Sequence, residues 1–251
     1  MRGKNNGCDM KFYVMGFLIF FSILSCVENE KTESYKVKRL EKAVKIDAVW
    51  EKAVWTGVQP LSVGKYMGEK PDHFPRAQAK LAYDDAAIYV IWRVEDRYVR
   101  AVAQKYQDPV YEDSCVEFFL TPGSDISRGY FNLEMNCGGT ALFHFQQQPK
   151  TDVIPIPEHE FDQIQIAHSL PKVIDPEIKT PTAWTVEYRI PFSVLEKYSD
   201  FSRPESGTLW RANFYKCADK TSHPHWLTWA KIDYPKPNFH LPAFFGELYF
   251  E

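Results

Sequence analysis

The sequence predicts an all-β fold, an antiparallel β-sandwich of immunoglobulin-like or jelly-roll-like type built as a single domain. Three observations predict it. Beyond the first 25 residues no segment sustains a long helical period of apolar side chains. Runs of β-branched and aromatic residues recur instead, punctuated by Gly, Pro, Asp and Asn. Hydrophobic residues make up 45% of the 251 positions, enough to fill a core between two layers, and aromatics reach 16%. With 30 basic against 33 acidic residues the chain has no cationic surplus to neutralise a phosphate backbone, which argues against nucleic acid as a partner.

Residues 1–25 read as a signal peptide. Arg2, Lys4 and Lys11 form a basic start, and Phe12 to Leu24 is an uncharged run too short to span a bilayer permanently. It ends in Ile23-Leu24-Ser25-Cys26, which resembles the lipobox of bacterial lipoproteins. The resemblance implies that Cys26 becomes the acylated N-terminus, anchoring the protein in the bacterial cell envelope, at the outer membrane. Residues 26–44 are then the lipidated cysteine and a charged tether, and the domain proper spans 45–251. Cys115, Cys137 and Cys217 remain, an odd number without a CxxC pair, so three buried apolar thiols are expected and not a disulfide framework or a zinc site.

Within the domain, Ala87 to Val94 follows the Asp84-Asp85 turn signal and reads as a central strand with both faces covered. Cys115 to Leu120, Tyr130 to Cys137, Ala183 to Ile190 and Leu209 to Tyr215 read as further strands. Residues 146–181, rich in Pro and Gln, form the expected long loop, with one strand near Ile164 to Ala167. After Pro191, Phe192 to Tyr198 reads as a short helix. Trp50, Trp92, Trp184 and Trp210 are expected in the core; Trp226 and Trp229 straddle a short strand near the rim or in the core.

Alternate residues of a strand share a face, so each strand splits in two. Val116, Phe118 and Leu120 oppose Cys115, Glu117 and Phe119; Phe131, Leu133, Met135 and Cys137 oppose Tyr130, Asn132, Glu134 and Asn136; Trp210, Ala212 and Phe214 oppose Arg211, Asn213 and Tyr215. One side of each is apolar. The other carries carboxylates, amides, a guanidinium and phenols, the groups that hold sugar hydroxyls in pairs while aromatic rings stack on pyranose faces. A solvated sheet face is the plain alternative.

In this order, Ile46-Asp47-Ala48-Val49-Trp50, Leu81 to Asp85 leading into Ile88-Tyr89-Val90, Tyr111 to Phe119, Tyr130-Phe131-Asn132, the Trp184 strand ending Ile190-Pro191-Phe192, Trp210 to Phe214 and Phe244 to Leu248 resemble the family 9 carbohydrate-binding modules. The resemblance covers about residues 45–251. It implies a non-catalytic β-sandwich that grips a terminal sugar between two aromatic rings, here Tyr111 and Phe239, with Glu117, Asn132, Glu134 and Asn213 reading hydroxyls. It also implies a role in polysaccharide catabolism on xylan- or glucan-type glycans, beside separate degrading enzymes, and structural calcium in some members. Asp84, Asp85, Asp96 and Asp113 are hard oxygen donors near turns, but aspartates are common in turns without metal, so none is named as a metal ligand.

Two other readings compete. A glycoside hydrolase would use Glu117 and Glu134 as its carboxyl pair, although an open polar face is expected to leave both ionised. A haem-binding sandwich would draw axial ligands from Met67, Met135 or the His223-Pro-His225 pair, with Met135 expected in the core and the histidines on a surface loop.

Overall fold

Alternating branched and aromatic side chains set the strands, of which the structure, a computed structural model, shows sixteen in the residues it describes, Met1 and 32–251. The first are β1 (Ser34–Arg39), β2 (Leu61–Val63), β3 (Lys65–Tyr66), β4 (Arg76–Tyr83) and β5 (Ala87–Asp96). Next come β6 (Val99–Ala101), β7 (Cys115–Thr121), β8 (Tyr130–Asn136), β9 (Ala141–Gln146) and β10 (Val153–Pro155). The chain continues through β11 (Gln165–His168), β12 (Ile174–Ile178), β13 (Thr182–Pro191), β14 (Leu209–Cys217), β15 (Trp226–Thr228) and β16 (Gly246–Phe250). The α-helices among the described residues are single turns, including Phe192–Leu195 after Pro191. The signal peptide and Cys26 lie outside the described residues.

The strands form a β-sandwich. The front layer runs β10-β9-β8-β7-β14-β16, and the back layer β4-β5-β13-β11. Strand β1 belongs to both: Ser34 to Val37 pair in parallel with β16, and Lys38 and Arg39 pair in parallel with β4. This segment was expected to be tether. Tyr35 and Val37 alternate into the core, but the charged residues between them mask the period of two. The region 146–181 holds the expected strand, β11, and differs from the expected loop because β10, β12 and the turn Glu158–Phe161 also fall inside it.

Between the layers, Phe118, Leu133 and Phe214 of the front meet Trp92, Trp184 and Tyr188 of the back in one continuous core. The Trp92 and Phe214 ring centroids lie 5.6 Å apart, and Trp92 Nε1 donates to the Tyr188 hydroxyl at 3.1 Å. Truncating such an aromatic to Ala typically costs about 3–5 kcal/mol. The core also holds a charged cluster: Lys216 Nζ sits 2.8 Å from His225 Nε2 and 3.5 Å from Asp96 Oδ2, and His73 bonds Asp96 at 2.7 Å. Burial, and next the Lys216 ammonium, push His225 down to about 3, so it stays neutral.

The outer face of the back layer is covered by the segment 46–55, which explains why β5 is buried on both sides. Glu187 of β13 fastens it. Its carboxylate accepts from Asp47 N at 2.9 Å, Ala48 N at 2.8 Å, Trp55 Nε1 at 2.8 Å and Lys52 Nζ at 2.7 Å. The cover is completed by Lys80 Nζ over the Trp50 ring at 4.4 Å.

Candidate functional site

The antiparallel register assembles the site on the outer face of the front layer. Glu117 of β7 lies directly opposite Glu134 of β8 on one side and Tyr215 of β14 on the other. One step along, Phe119 lies opposite both Asn132 and Asn213, and Asn132 opposite His144 of β9. This face is not bare. Phe119, Tyr130, Tyr215, Phe239 and Phe245 form a second apolar cluster on it, roofed by the segment after β15. Between sheet and roof lies a cavity of about 440 Å³, whose lining includes Tyr111, Glu117, Asn132, Glu134, Trp226 and Phe239.

A hydrogen-bonded chain organises its floor. Lys150 N donates to Gln146 Oε1 at 2.7 Å, Gln146 Nε2 to Asn132 Oδ1 at 2.8 Å, and Asn132 Nδ2 to Glu134 Oε1 at 3.0 Å. Each amide is thereby oriented, so its flip state is fixed by its neighbours. Tyr130 bonds both Gln146 Oε1 at 2.9 Å and His240 Nδ1 at 2.7 Å. Glu117 Oε1 accepts from the Cys217 thiol at 3.0 Å. On the walls, Phe239 stacks on Tyr215 with centroids 4.1 Å apart and 7° between planes, and Trp226 Nε1 donates to Asp219 Oδ1 at 2.9 Å. Tyr111, on the 3-10 turn Val110–Glu112, is 40% exposed and free to meet a ligand.

Burial decides the electrostatics. Desolvation raises Glu117 well above the usual carboxyl range, with the neighbouring Cys217 and Glu134 adding to it. It raises Glu134 to about 7 and Asp219 to about 6. His240, desolvated between strand and roof, is pushed down to about 3 and stays neutral. The floor therefore offers carboxyls that burial biases toward the neutral form, oriented amides and a neutral imidazole. Such a set both donates to and accepts from hydroxyl groups.

The sequence matches the carbohydrate-binding family 9 over residues 50–250. The chain belongs to carbohydrate-binding family 9. The family consists of binding modules without a catalytic role of their own. A protein of Bacteroides uniformis with a provisional carbohydrate-binding assignment superimposes with TM-score 0.79 at 28% identity, over 88% of this chain and 100% of that one. A family 9 module from Caldicellulosiruptor kristjanssonii in complex with glucose gives TM-score 0.61 at 17% identity, over 87% and 96%. Its structure with cellotriose gives 0.58 at 17%, over 87% and 94%. No protein of curated function matches the chain.

In this family 9 module, Tyr111, Glu117, Asn132, Glu134 and Phe239 line the same cavity, whereas Asn213 does not. Asn213 is fully buried; its Oδ1 accepts from Ala230 N at 2.9 Å and its Nδ2 donates to Ala230 O at 3.1 Å, so it ties β14 to the chain after β15. The expectation that an open face would leave both carboxyls ionised is also corrected, because the roof desolvates them. Gln146, His144, His240, Lys150 and Asp219 also line it and were not anticipated.

The haem ligands do not converge. Met135 is in the core between the layers, Met67 in the outer cluster, and His223 stacks on Tyr98 at 3.6 Å. His225 is fully buried, not on a surface loop, and is engaged by Lys216. The aspartates considered for calcium do not gather either. Asp84 caps its own turn and Tyr89, Asp85 pairs with Arg39, Asp96 faces Lys216, and Asp113 accepts from Val102 N and Ala103 N. No calcium ligand set forms from these four.

Proposed function

We propose that this module binds a terminal sugar of a glycan in the cavity without cleaving it. The observation that carries the reading is the placement of Glu117 opposite Glu134 on a floor whose walls carry Tyr111 and Phe239. A ring entering the cavity meets the phenol of Tyr111 on the exposed side and carboxyl and amide groups on the sheet side. One face of Phe239 is taken by Tyr215, which holds the ring in place before any sugar arrives. The affinity expected of so small a contact is micromolar or weaker, about −8 kcal/mol or less in magnitude.

The basic start, the apolar run and Cys26 support a lipid-anchored protein of the bacterial outer membrane, working beside separate enzymes that degrade xylan- or glucan-type polysaccharide. Hydrolysis by Glu117 and Glu134 is the second reading, favoured by the raised proton affinities of the pair. Against it, the family is one of binding modules without a catalytic role of their own.

A glycan array followed by calorimetry tests the proposal. Binding by the native protein, loss in a Tyr111→Ala, Phe239→Ala double variant, and no sugar release from xylo- or cello-oligosaccharides are expected. Retained binding by the double variant would overturn the site assignment, and release of sugar that disappears in Glu117→Gln would establish the hydrolase.

A further inference from the structure

Spacing in the sequence gives no metal motif, yet the β7–β14 register brings Cys217 directly opposite Cys115, with Glu117 two residues along the same face of β7. The ligand atoms of Cys115, Cys217 and Glu117 all lie within 4.8 Å of one another, and among the described residues they are the one such group. We propose that these three side chains form a binding site for a thiophilic divalent cation, with Zn²⁺ the fitting ion. Its place is the floor of the cavity, but it does not depend on whether a glycan enters there.

Three features point to this ligand. Two thiols and a carboxyl are the donors a borderline-soft ion selects, and three protein ligands leave a tetrahedral ion one position to fill. That position has access, since Glu117 and Cys217 line the cavity while Cys115 lies beneath them. The surroundings are also unbalanced. Glu134 and Asp219 add further acidic groups to the same floor, which attract a dication. Binding exchanges the two thiol protons for the ion, and both protons pass to solvent. Cys137 makes the contrast: it is buried in the core with its thiol directed at the Arg100 carbonyl, and belongs to no such group.

The test is a titration of the purified protein, kept reduced and free of sugar, with Zn²⁺ by calorimetry and with Co²⁺ as a coloured probe. One equivalent should bind, with proton release that depends on the buffer, and the Co²⁺ form should show an intense near-ultraviolet thiolate-to-metal band. The band should vanish in Cys115→Ser and in Cys217→Ser, survive in Cys137→Ser, and weaken in Glu117→Gln, with circular dichroism checking that each variant folds. Free thiols without metal uptake would overturn the proposal. So would a band that persists in Cys115→Ser, or a Cys115–Cys217 disulfide, seen as a mass lower by two hydrogens, that forms in place of metal binding. A failed glycan array with a successful titration would sink the glycan reading alone.

Discussion

Glu187 and Glu117 are both buried carboxyls on strands of the same sandwich, one on the outer face of each layer. Glu187 takes two backbone amides, an indole and an ammonium. Among the described residues one donor reaches Glu117, the Cys217 thiol, and the acids Glu134 and Asp219 lie near it. A carboxylate whose lone pairs are filled by the protein holds the fold together; one left short of donors at a cavity is available to something else.

The sharpest way to break that contrast is to truncate both. Glu187→Ala strands Lys52, Trp55 and two backbone donors, and should lower unfolding free energy in urea by about 3–5 kcal/mol. Glu117→Gln should leave stability within about 1 kcal/mol, since Gln replaces a carboxyl already protonated. Equal losses in the two variants would erase the distinction.

Stability against pH sharpens it next. Glu134 is raised from 4.5 to about 7, so between those values the folded chain keeps a proton that the unfolded chain has released. Folding stability should therefore fall as pH rises through this window, by up to about 1.4 kcal/mol per pH unit for each such group. Glu134→Gln should flatten the fall. The carboxyls held low by partners, Asp47 beside Lys52 and Glu196 beside Arg203, act below this window, where their stabilisation is lost as pH drops.

Ligand affinity comes third. Glu117→Ala should weaken glycan binding by about 1–3 kcal/mol, roughly fivefold to a hundredfold by calorimetry, because it removes the buried carboxyl that meets the sugar hydroxyls. Asn213→Ala should do the reverse, costing about 1–3 kcal/mol of stability while the folded fraction binds glycan as before. The smallest effect is expected of Tyr111→Ala, about 0.5–1.5 kcal/mol of binding with stability unchanged, because the ring is largely exposed until a sugar covers it.

The layers of the sandwich were legible because period-two alternation survives wherever one face is greasy: Val116-Phe118-Leu120 and Trp184-Val186-Tyr188-Ile190 sit between the sheets as their spacing predicts. Strand β1 was not legible, since Lys36 and Lys38 dominate its composition while only Tyr35 and Val37 face inward. The same alternation placed Glu117, Asn132 and Glu134 on one face but could not say that a roof would close over them, which is a tertiary fact that sets their protonation. Asn213 lies on the correct face in register, yet its amide finds the Ala230 backbone, and no local signal announces that partner. His144 and Gln146 could have been found: Ala141–Gln146 alternates apolar and polar residues in the manner of its neighbours.

Strand β1 finally has a mechanical meaning. Tension applied through residue 32 enters the domain along a strand that is zipped lengthwise to β16 and then to β4. Its rungs are loaded together, in shear, and no single bond yields first. A module held at its leading end and tugged at its cavity by a long polymer would resist with both halves of the sandwich at once.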